Sequence, residues 1–295
     1  MRNRVNWDRV RLYVITAESN HPGRSVIEVM EQTLIGGAGM LQLRNKTGTR
    51  EQVLEQARAL RVLTRRYGVP FIVNDYPDIA MEVGADGVHL GQEDMTVLEA
   101  RALLGEDKII GISTHCLEHA LRAEEAGADY IGVGPVFPTD TKPGRKAVTT
   151  SYVREAASNI RIPFVAIGGI TLGNADSVIE AGATRLCAVS AVVSSPDPAA
   201  TCRAFLRKLD EAEGRRNREA GDRPLKAAAL VELTLNGNRY RTSASNLESL
   251  LLELGQRDKR LVAELNGEIV PRGSWQETAL ADGLRIELIQ FVGGG

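Results

Sequence analysis

Eight short apolar segments recur through the first two-thirds of the chain: Leu12 to Thr16, Met40 to Leu43, Pro70 to Asn74, Gly87 to Leu90, Lys108 to Ile112, Tyr130 to Val133, Pro163 to Ile167 and Arg185 to Val189. Runs this short and this uniformly apolar suit strands buried on both faces of a parallel sheet. Between them lie helical patterns such as Val53, Ala57, Leu60 and Leu63, or Leu117, Ala120, Leu121 and Glu124, with charge on the other faces. A weak repeat marks the joins. Gly37-Ala38-Gly39, Gly84-Ala85-Asp86, Gly127-Ala128-Asp129 and Gly182-Ala183-Thr184 each precede a strand, where glycine supplies the left-handed residue that closes a helix. Eight strand-helix units in roughly 200 residues fit a closed (β/α)8 TIM barrel better than the alternative, an open doubly wound sheet.

The chain is longer than such a barrel needs. At 295 residues and 43% apolar composition it has room for a second, smaller core. The boundaries we expect are a barrel over residues 1–210, a charged linker over 211–229 and a small α+β domain over 230–295. The middle stretch contains Glu211-Ala212-Glu213-Gly214-Arg215-Arg216 and lacks an apolar stripe; a helical continuation from Phe205 is the other reading. Beyond it come Val231 to Leu235, an Asn236-Gly237 turn, a second strand, and a helix announced by Ser245-Asn246-Leu247-Glu248 as a capping box. Leu247, Leu250, Leu251 and Leu254 share one face of that helix. Strands Leu261 to Leu265 and onward to Val270 meet at Asn266-Gly267, and a last strand, Leu284 to Phe291, runs into Gly293-Gly294-Gly295. This ββαββ plan with a final strand ends in a tail without side chains, suited to a narrow active site of another protein.

Charge excludes some partners. A net charge of −2 and a pI near 6.2 give no reason to expect nucleic acid or an anionic membrane. Three cysteines, Cys116, Cys187 and Cys202, form no metal-type spacing and no disulfide framework. The first residues lack the apolar core of a signal peptide and no later run is long enough to span a bilayer, so the expected location is cytoplasmic.

In a (β/α)8 barrel, ligands bind at the carboxyl ends of the strands, so the polar residues there are the candidates. Gln42, Arg44 and Lys46 alternate as strand side chains do. Asn74 and Asp75 follow the third strand and Asp94 the fourth; carboxylates on neighbouring strand ends suit a shared Mg²⁺, although Asp94 also reads as a helix N-cap. Ser113 follows the fifth. After the sixth comes Val133-Gly134-Pro135-Val136-Phe137-Pro138-Thr139-Asp140-Thr141-Lys142, whose hydroxyls and cation suit a phosphorylated ligand. Gly168-Gly169 after the seventh strand and Val189-Ser190 after the eighth match the backbone-amide phosphate site common in this architecture. Two anion sites are implied, one cationic and metal-assisted, the other built mainly from amides. His115 and His119 lie four apart, yet no third metal ligand stands near; His21 and His89 carry no assignment beyond a structural one. Walker, nicotinamide and serine-elbow motifs are absent.

Taken together, Leu12-Tyr13-Val14-Ile15-Thr16, Gln42-Leu43-Arg44-Asn45-Lys46, Val73-Asn74-Asp75, His89-Leu90-Gly91-Gln92-Glu93-Asp94, Gly111-Ile112-Ser113, Gly134 to Lys142 and Ile167-Gly168-Gly169-Ile170 resemble the thiamine-phosphate synthases, over about residues 8 to 208. The resemblance implies condensation of hydroxymethylpyrimidine diphosphate with thiazole phosphate, releasing pyrophosphate. It further implies that Gln42, Leu43, Arg44, Asn45, Lys46, Asn74, Ser113 and Lys142 meet the pyrimidine diphosphate, with Arg44, Lys46, Ser113 and Lys142 catalytic. Asp75 and Asp94 would hold magnesium, and Thr139, Asp140, Thr141, Gly169, Val189 and Ser190 the thiazole phosphate. Residues from about Val231 resemble the thiamine sulfur carriers through Glu268-Ile269-Val270-Pro271-Arg272, Trp275, Asp282-Gly283 and terminal Gly294-Gly295. That implies a ubiquitin-like β-grasp domain whose tail becomes a thiocarboxylate, with an ATP-dependent activating enzyme and thiazole synthase as partners. The alternatives are a thiazole tautomerase barrel, or a phosphate-binding scaffold for a molybdopterin-type or ubiquitin-like carrier. A homo-oligomer is left open.

Overall fold

The computed structural model describes residues 5–17, 23–139, 147–222, 231–242, 244–256 and 261–290. The apolar segments become β1 (Leu12–Ile15), β2 (Met40–Leu43), β3 (Phe71–Asn74), β4 (Gly87–Leu90), β5 (Ile109–Thr114), β6 (Tyr130–Val133), β7 (Phe164–Ile167) and β8 (Leu186–Ala188). All eight pair in parallel, and β8 returns to β1 to close the barrel. Closure decides against the open sheet.

Period-two alternation sorts the strand residues into two apolar clusters. Leu12, Val14, Leu41, Leu43, Phe71, Val73, Ile131 and Val133 pack outward with the helices. Tyr13, Ile15, Met40, Ile72, Ile109, Tyr130, Val165 and Cys187 form a separate inner cluster. Tyr130 fits inside because the facing position is Gly111: a Cβ there would stand 2.1 Å from the phenol ring.

The surrounding helices are α1 (Val26–Ile35), α2 (Arg50–Tyr67), α3 (Pro77–Glu82), α4 (Val97–Leu104), α5 (Leu117–Glu125), α6 (Thr149–Asn159), α7 (Ala175–Glu180), the one-turn α8 (Ser190–Val193) and α9 (Pro198–Asp222). Capping boxes at Ser25, Thr49 and Thr96 start three of them. Val53, Ala57, Leu60 and Leu63 bury along α2 as their spacing predicts, whereas on α5 Ala120 and Ala123 are buried and Leu121 is exposed. The Gly-Ala repeat behaves as expected. Gly37, Gly84, Gly127 and Gly182 take φ of 95°, 63°, 85° and 108°, and the alanine after each is buried.

Contacts divide the chain into two units, Met1–Arg215 and Arg216–Gly295. Helix α9 extends to Asp222 through the first part of the stretch expected as a linker, following the helical alternative. The second unit has β9 (Val231–Leu235), β10 (Asn238–Thr242), α10 (Leu247–Glu253), β11 (Leu261–Leu265), β12 (Glu268–Val270), a 3-10 turn (Arg272–Ser274) and β13 (Arg285–Gln290). The sheet order is β10-β9-β13-β11-β12, with β13 parallel to β9 and the other pairings antiparallel. That mixed sheet crossed by α10 is a β-grasp arrangement. Asn236-Gly237 and Asn266-Gly267 turn the two hairpins with positive φ at both residues, as tight hairpins require. The α10 cap is Asn246 rather than Ser245: its carboxamide accepts from Ser249 N and the Ser249 hydroxyl returns the bond. Leu247, Leu250 and Leu251 then bury against Leu233, Ala263, Trp275 and Ile286.

Candidate active site

The carboxyl ends of the barrel strands enclose a cavity lined by Gln42, Arg44, Asn74, His89, Ser113, His115, Thr139, Gly168, Gly169, Val189 and Ser190, among others. Eight residues expected from sequence thus share one wall system: Gln42, Arg44, Asn74, Ser113, Thr139, Gly169, Val189 and Ser190. Each reaches it for a local reason. Gln42 and Ser113 occupy inward positions on β2 and β5. Arg44 has left β2, its backbone N–H donating to Thr16 Oγ1 at 2.8 Å, while the Thr16 hydroxyl donates back to the Arg44 carbonyl at 2.9 Å.

The glycine turn after β7 is stitched to the loop after β6. Val136 N–H donates to the Ile167 carbonyl at 2.9 Å and Phe137 N–H to the Gly168 carbonyl at 3.0 Å. Gly168 and Gly169 both hold positive φ, and a Cβ on Gly169 would lie 2.6 Å from the Pro138 carbonyl oxygen. Asn174 completes the turn by donating to the Gly169 carbonyl and accepting from Thr171 N.

A carboxylate pair stands on the same end of the barrel. Asp75 adopts φ of 63°, a left-handed conformation that Asp tolerates better than most residues, and forms an ion pair with Lys46. Burial raises the Asp75 pKa; Lys46 opposes that and the neighbouring Asp94 carboxyl adds to it. Asp94 is not an N-cap. Thr96 caps α4, and the Asp94 carboxylate accepts from Gly91 N at 2.6 Å. Two adjoining hard-oxygen donors, one of them shifted toward protonation, are a donor set that a divalent cation would satisfy. Among the described residues no cluster of three ligating side chains exists, so the remaining ligands would be phosphate oxygens or water.

Some expected residues fall elsewhere. Leu43 points outward into the helix-facing core, because alternation with Gln42 requires it. The Asn45 side chain shapes its own loop, accepting from Thr47 and Gly48 N–H and donating to Gln56 Oε1. Asp140, Thr141 and Lys142 lie outside the described residues, as do Gly294 and Gly295.

Sequence reasoning passed over the cavity floor. His89 Nδ1 lies 2.9 Å from Tyr130 Oη and its Nε2 2.9 Å from Ser113 Oγ. Tyr130 Oη lies 3.0 Å from Tyr13 Oη, and Gln42 Nε2 donates to Tyr13 Oη at 2.7 Å. Period-two reading of Val88-His89-Leu90 would have placed His89 inward beside Ser113. His115 Nδ1 donates to the Gly134 carbonyl at 2.5 Å, the rings of His115 and His119 meet edge-on at 6.0 Å, and among the described residues no third His, Cys, Asp or Glu joins them as a possible ligand.

Comparison with known proteins identifies the architecture. Residues 12–192 match the family model described as thiamine monophosphate synthase. The chain belongs to that family. A thiamine-phosphate synthase of Shouchella clausii is 54% identical over 203 residues, covering 68% of this chain and 97% of that relative. One of Halalkalibacterium halodurans is 50% identical over 202 residues, covering 68% and 96%. The solved thiamine phosphate pyrophosphorylase from Pyrococcus furiosus superposes with a TM-score of 0.64 at 37% identity, covering 69% of this chain and 97% of that one. Residues 228–295 match the ThiS family, so the synthase-family barrel is fused to a carrier-family domain. No helix among the described residues is long and apolar enough to cross a membrane.

Proposed function

We propose that the barrel joins 4-amino-2-methyl-5-(diphosphooxymethyl)pyrimidine to thiazole phosphate, giving thiamine phosphate and pyrophosphate. The observation that carries this reading is the convergence of Gln42, Arg44, Asn74, Ser113, Thr139 and Gly169 on one cavity, with Lys46, Asp75 and Asp94 on the same barrel end. The C–O bond at the pyrimidine methylene breaks and its electron pair departs with pyrophosphate. The lone pair of the thiazole nitrogen forms the new C–N bond. No protein nucleophile is required.

Gln42 and Ser113 orient the pyrimidine, and Asn74 holds its diphosphate arm. Arg44 and Lys46 set positive charge where the leaving group accumulates negative charge, in a site fixed before reaction. Lys142 would add to them, and Thr139, Asp140 and Thr141 with the Gly169 turn, Val189 and Ser190 would hold the thiazole phosphate. Asp75 and Asp94 would hold Mg²⁺, which when bound neutralises diphosphate charge. Residues 1–210 are assigned to the synthase and 230–295 to the carrier, joined by 211–229. In the carrier, the Gly295 carboxylate would be adenylated at the expense of ATP by an activating enzyme. Pyrophosphate leaves in that step, and a sulfide-level sulfur from the donor would then displace AMP to leave a thiocarboxylate for thiazole synthase.

Incubation with both substrates and Mg²⁺ should yield thiamine phosphate. A well-folded protein giving no product, with Asp75→Asn and Lys142→Ala indistinguishable from it, would falsify the synthase reading. For the tail, mass spectrometry after reaction with an activating enzyme, ATP and a sulfur donor should show one oxygen replaced by sulfur at Gly295. An unchanged mass, where a known carrier is converted, argues against it.

A further inference from the structure

The polar groups beneath the cavity form a continuous line whose direction is set at one end. Gln42 presents Nε2, a donor only, to Tyr13 Oη at 2.7 Å. Were Tyr130 to donate to Tyr13, the Tyr13 proton would be left facing another donor, with no acceptor among the described residues. Running the other way gives the proton of each of the three buried rings an acceptor. Tyr13 donates to Tyr130, Tyr130 donates to His89 Nδ1, and His89 carries its proton on Nε2, which donates to Ser113 Oγ. Burial holds both phenols protonated, their pKa values raised above the ordinary tyrosine value.

We propose that Tyr13, Tyr130 and His89 are positioning residues that fix the hydrogen-bonding polarity of the cavity. Ser113, whose oxygen accepts from His89, turns its own proton into the cavity as a donor. Gln42, whose Nε2 is committed to Tyr13, presents Oε1 as an acceptor. The cavity therefore selects a ligand offering an acceptor opposite Ser113 and an N–H donor opposite Gln42. An aminopyrimidine offers both on one ring, through its ring nitrogens and exocyclic amine. This choice of ligand rests on the synthase reading, whereas the direction of the chain does not.

The tautomer of His89 tests the direction without any turnover. In the full-length, unliganded, ¹⁵N-labelled protein, long-range ¹H–¹⁵N spectra at mildly alkaline pH should show His89 protonated on Nε2 and bare on Nδ1, with the signals assigned by their loss in His89→Asn. Protonation on Nδ1 instead would reverse the chain and overturn the proposal, whether or not the enzyme is active. Tyr130→Phe keeps the ring but removes the donor to Nδ1. It should give a mixture of tautomers and lower kcat/KM for the pyrimidine diphosphate about tenfold, the scale of one buried hydrogen bond, while leaving KM for thiazole phosphate unchanged. A folded Tyr130→Phe protein with a pure Nε2–H signal and unchanged kcat/KM would equally overturn it. If that variant does not fold, the wild-type tautomer decides alone.

Discussion

The barrel and the β-grasp unit bury polar groups on different terms. In the barrel Gln42, Asn74, His89 and Ser113 are all at or below 9% exposure, and they sit on strands whose inward positions lead to a cavity. In the second unit Thr242 is the buried polar residue among those described, and it is locked locally, its hydroxyl donating to Glu253 Oε2 at 2.5 Å and accepting from Ala244 N. Its core is otherwise an apolar cluster around Leu247, Leu250 and Leu251. Buried polar groups cost free energy unless they are paired, and the barrel joins Gln42, His89 and Ser113 through Tyr13 and Tyr130 in a line that ends at the cavity. The small unit needs no such line, because its chemistry is expected at a chain terminus. The two therefore differ in where a substitution should be felt.

The largest effect should come from charge at the barrel mouth. Lys46→Ala or Asp75→Asn should lower kcat of thiamine phosphate formation by about 100- to 1,000-fold, as loss of a preorganised electrostatic contact does. Thermal unfolding should move little, since Lys46 only offsets the burial that already disfavours the Asp75 charge. A chain ending at Asp222 should keep kcat/KM within about twofold, because every residue lining the cavity lies in the barrel. Loss of synthase activity on that truncation would break the comparison.

Next comes the core of the small unit. Leu250 is fully buried on the inner face of α10, and Leu250→Ala should cost about 2–5 kcal/mol through lost burial and the void left behind. Hydrogen exchange should show β9 to β13 opening more readily while the barrel strands keep their protection. Synthase activity should be unchanged. In the barrel the corresponding probe is Gly111→Ala, whose methyl would stand 2.1 Å from the Tyr130 ring. Overpacking of this kind costs about 1–3 kcal/mol. Because the displaced ring belongs to the line under Ser113, activity should fall as well, which separates this substitution from one that merely destabilises.

The same comparison explains what could be read from the sequence. Strand placement followed from eight apolar runs and the Gly-Ala joins, because parallel strands buried on both faces leave that composition and no other signal competes with it. The second unit was legible from its two Asn-Gly turns and leucine-faced helix; only the cap shifted, from Ser245 to Asn246, since both residues cap well and tertiary contacts select the register. The cavity wall was legible wherever a polar residue ended a strand. What escaped was the floor. Tyr13 and Tyr130 read as apolar strand residues, and His89 as one histidine among hydrophobics. Their function depends on hydroxyl and imidazole groups from β1, β4 and β6 meeting inside a closed barrel, a relation between strands that no local window contains. Leu43 and Asn45 were misplaced for the converse reason: membership in a motif does not say which way a side chain points.

The smallest effect is a dependence on alkaline pH. Burial pushes the Cys202 thiol up to about 12, against 9.0 for an unperturbed thiol. Between those values the unfolded chain gives up this proton and the folded barrel keeps it. The unfolded state then binds fewer protons, so stability falls as pH rises through and above 9.0, by about 1 kcal/mol at pH 10 for this group. Cys187, also raised by burial, adds in the same direction. All three cysteines lie in the barrel, so the small unit has no contribution from this source. Denaturant titrations of wild type and Cys202→Ala at pH 8 and pH 10 should show the variant losing less stability over that interval, with the difference confined to the barrel transition. Equal losses in both proteins would mean that the Cys202 thiol titrates in the fold much as it does in the unfolded chain, and that this corner of the barrel is wetter than the full burial of Cys202 beside Gly36 implies.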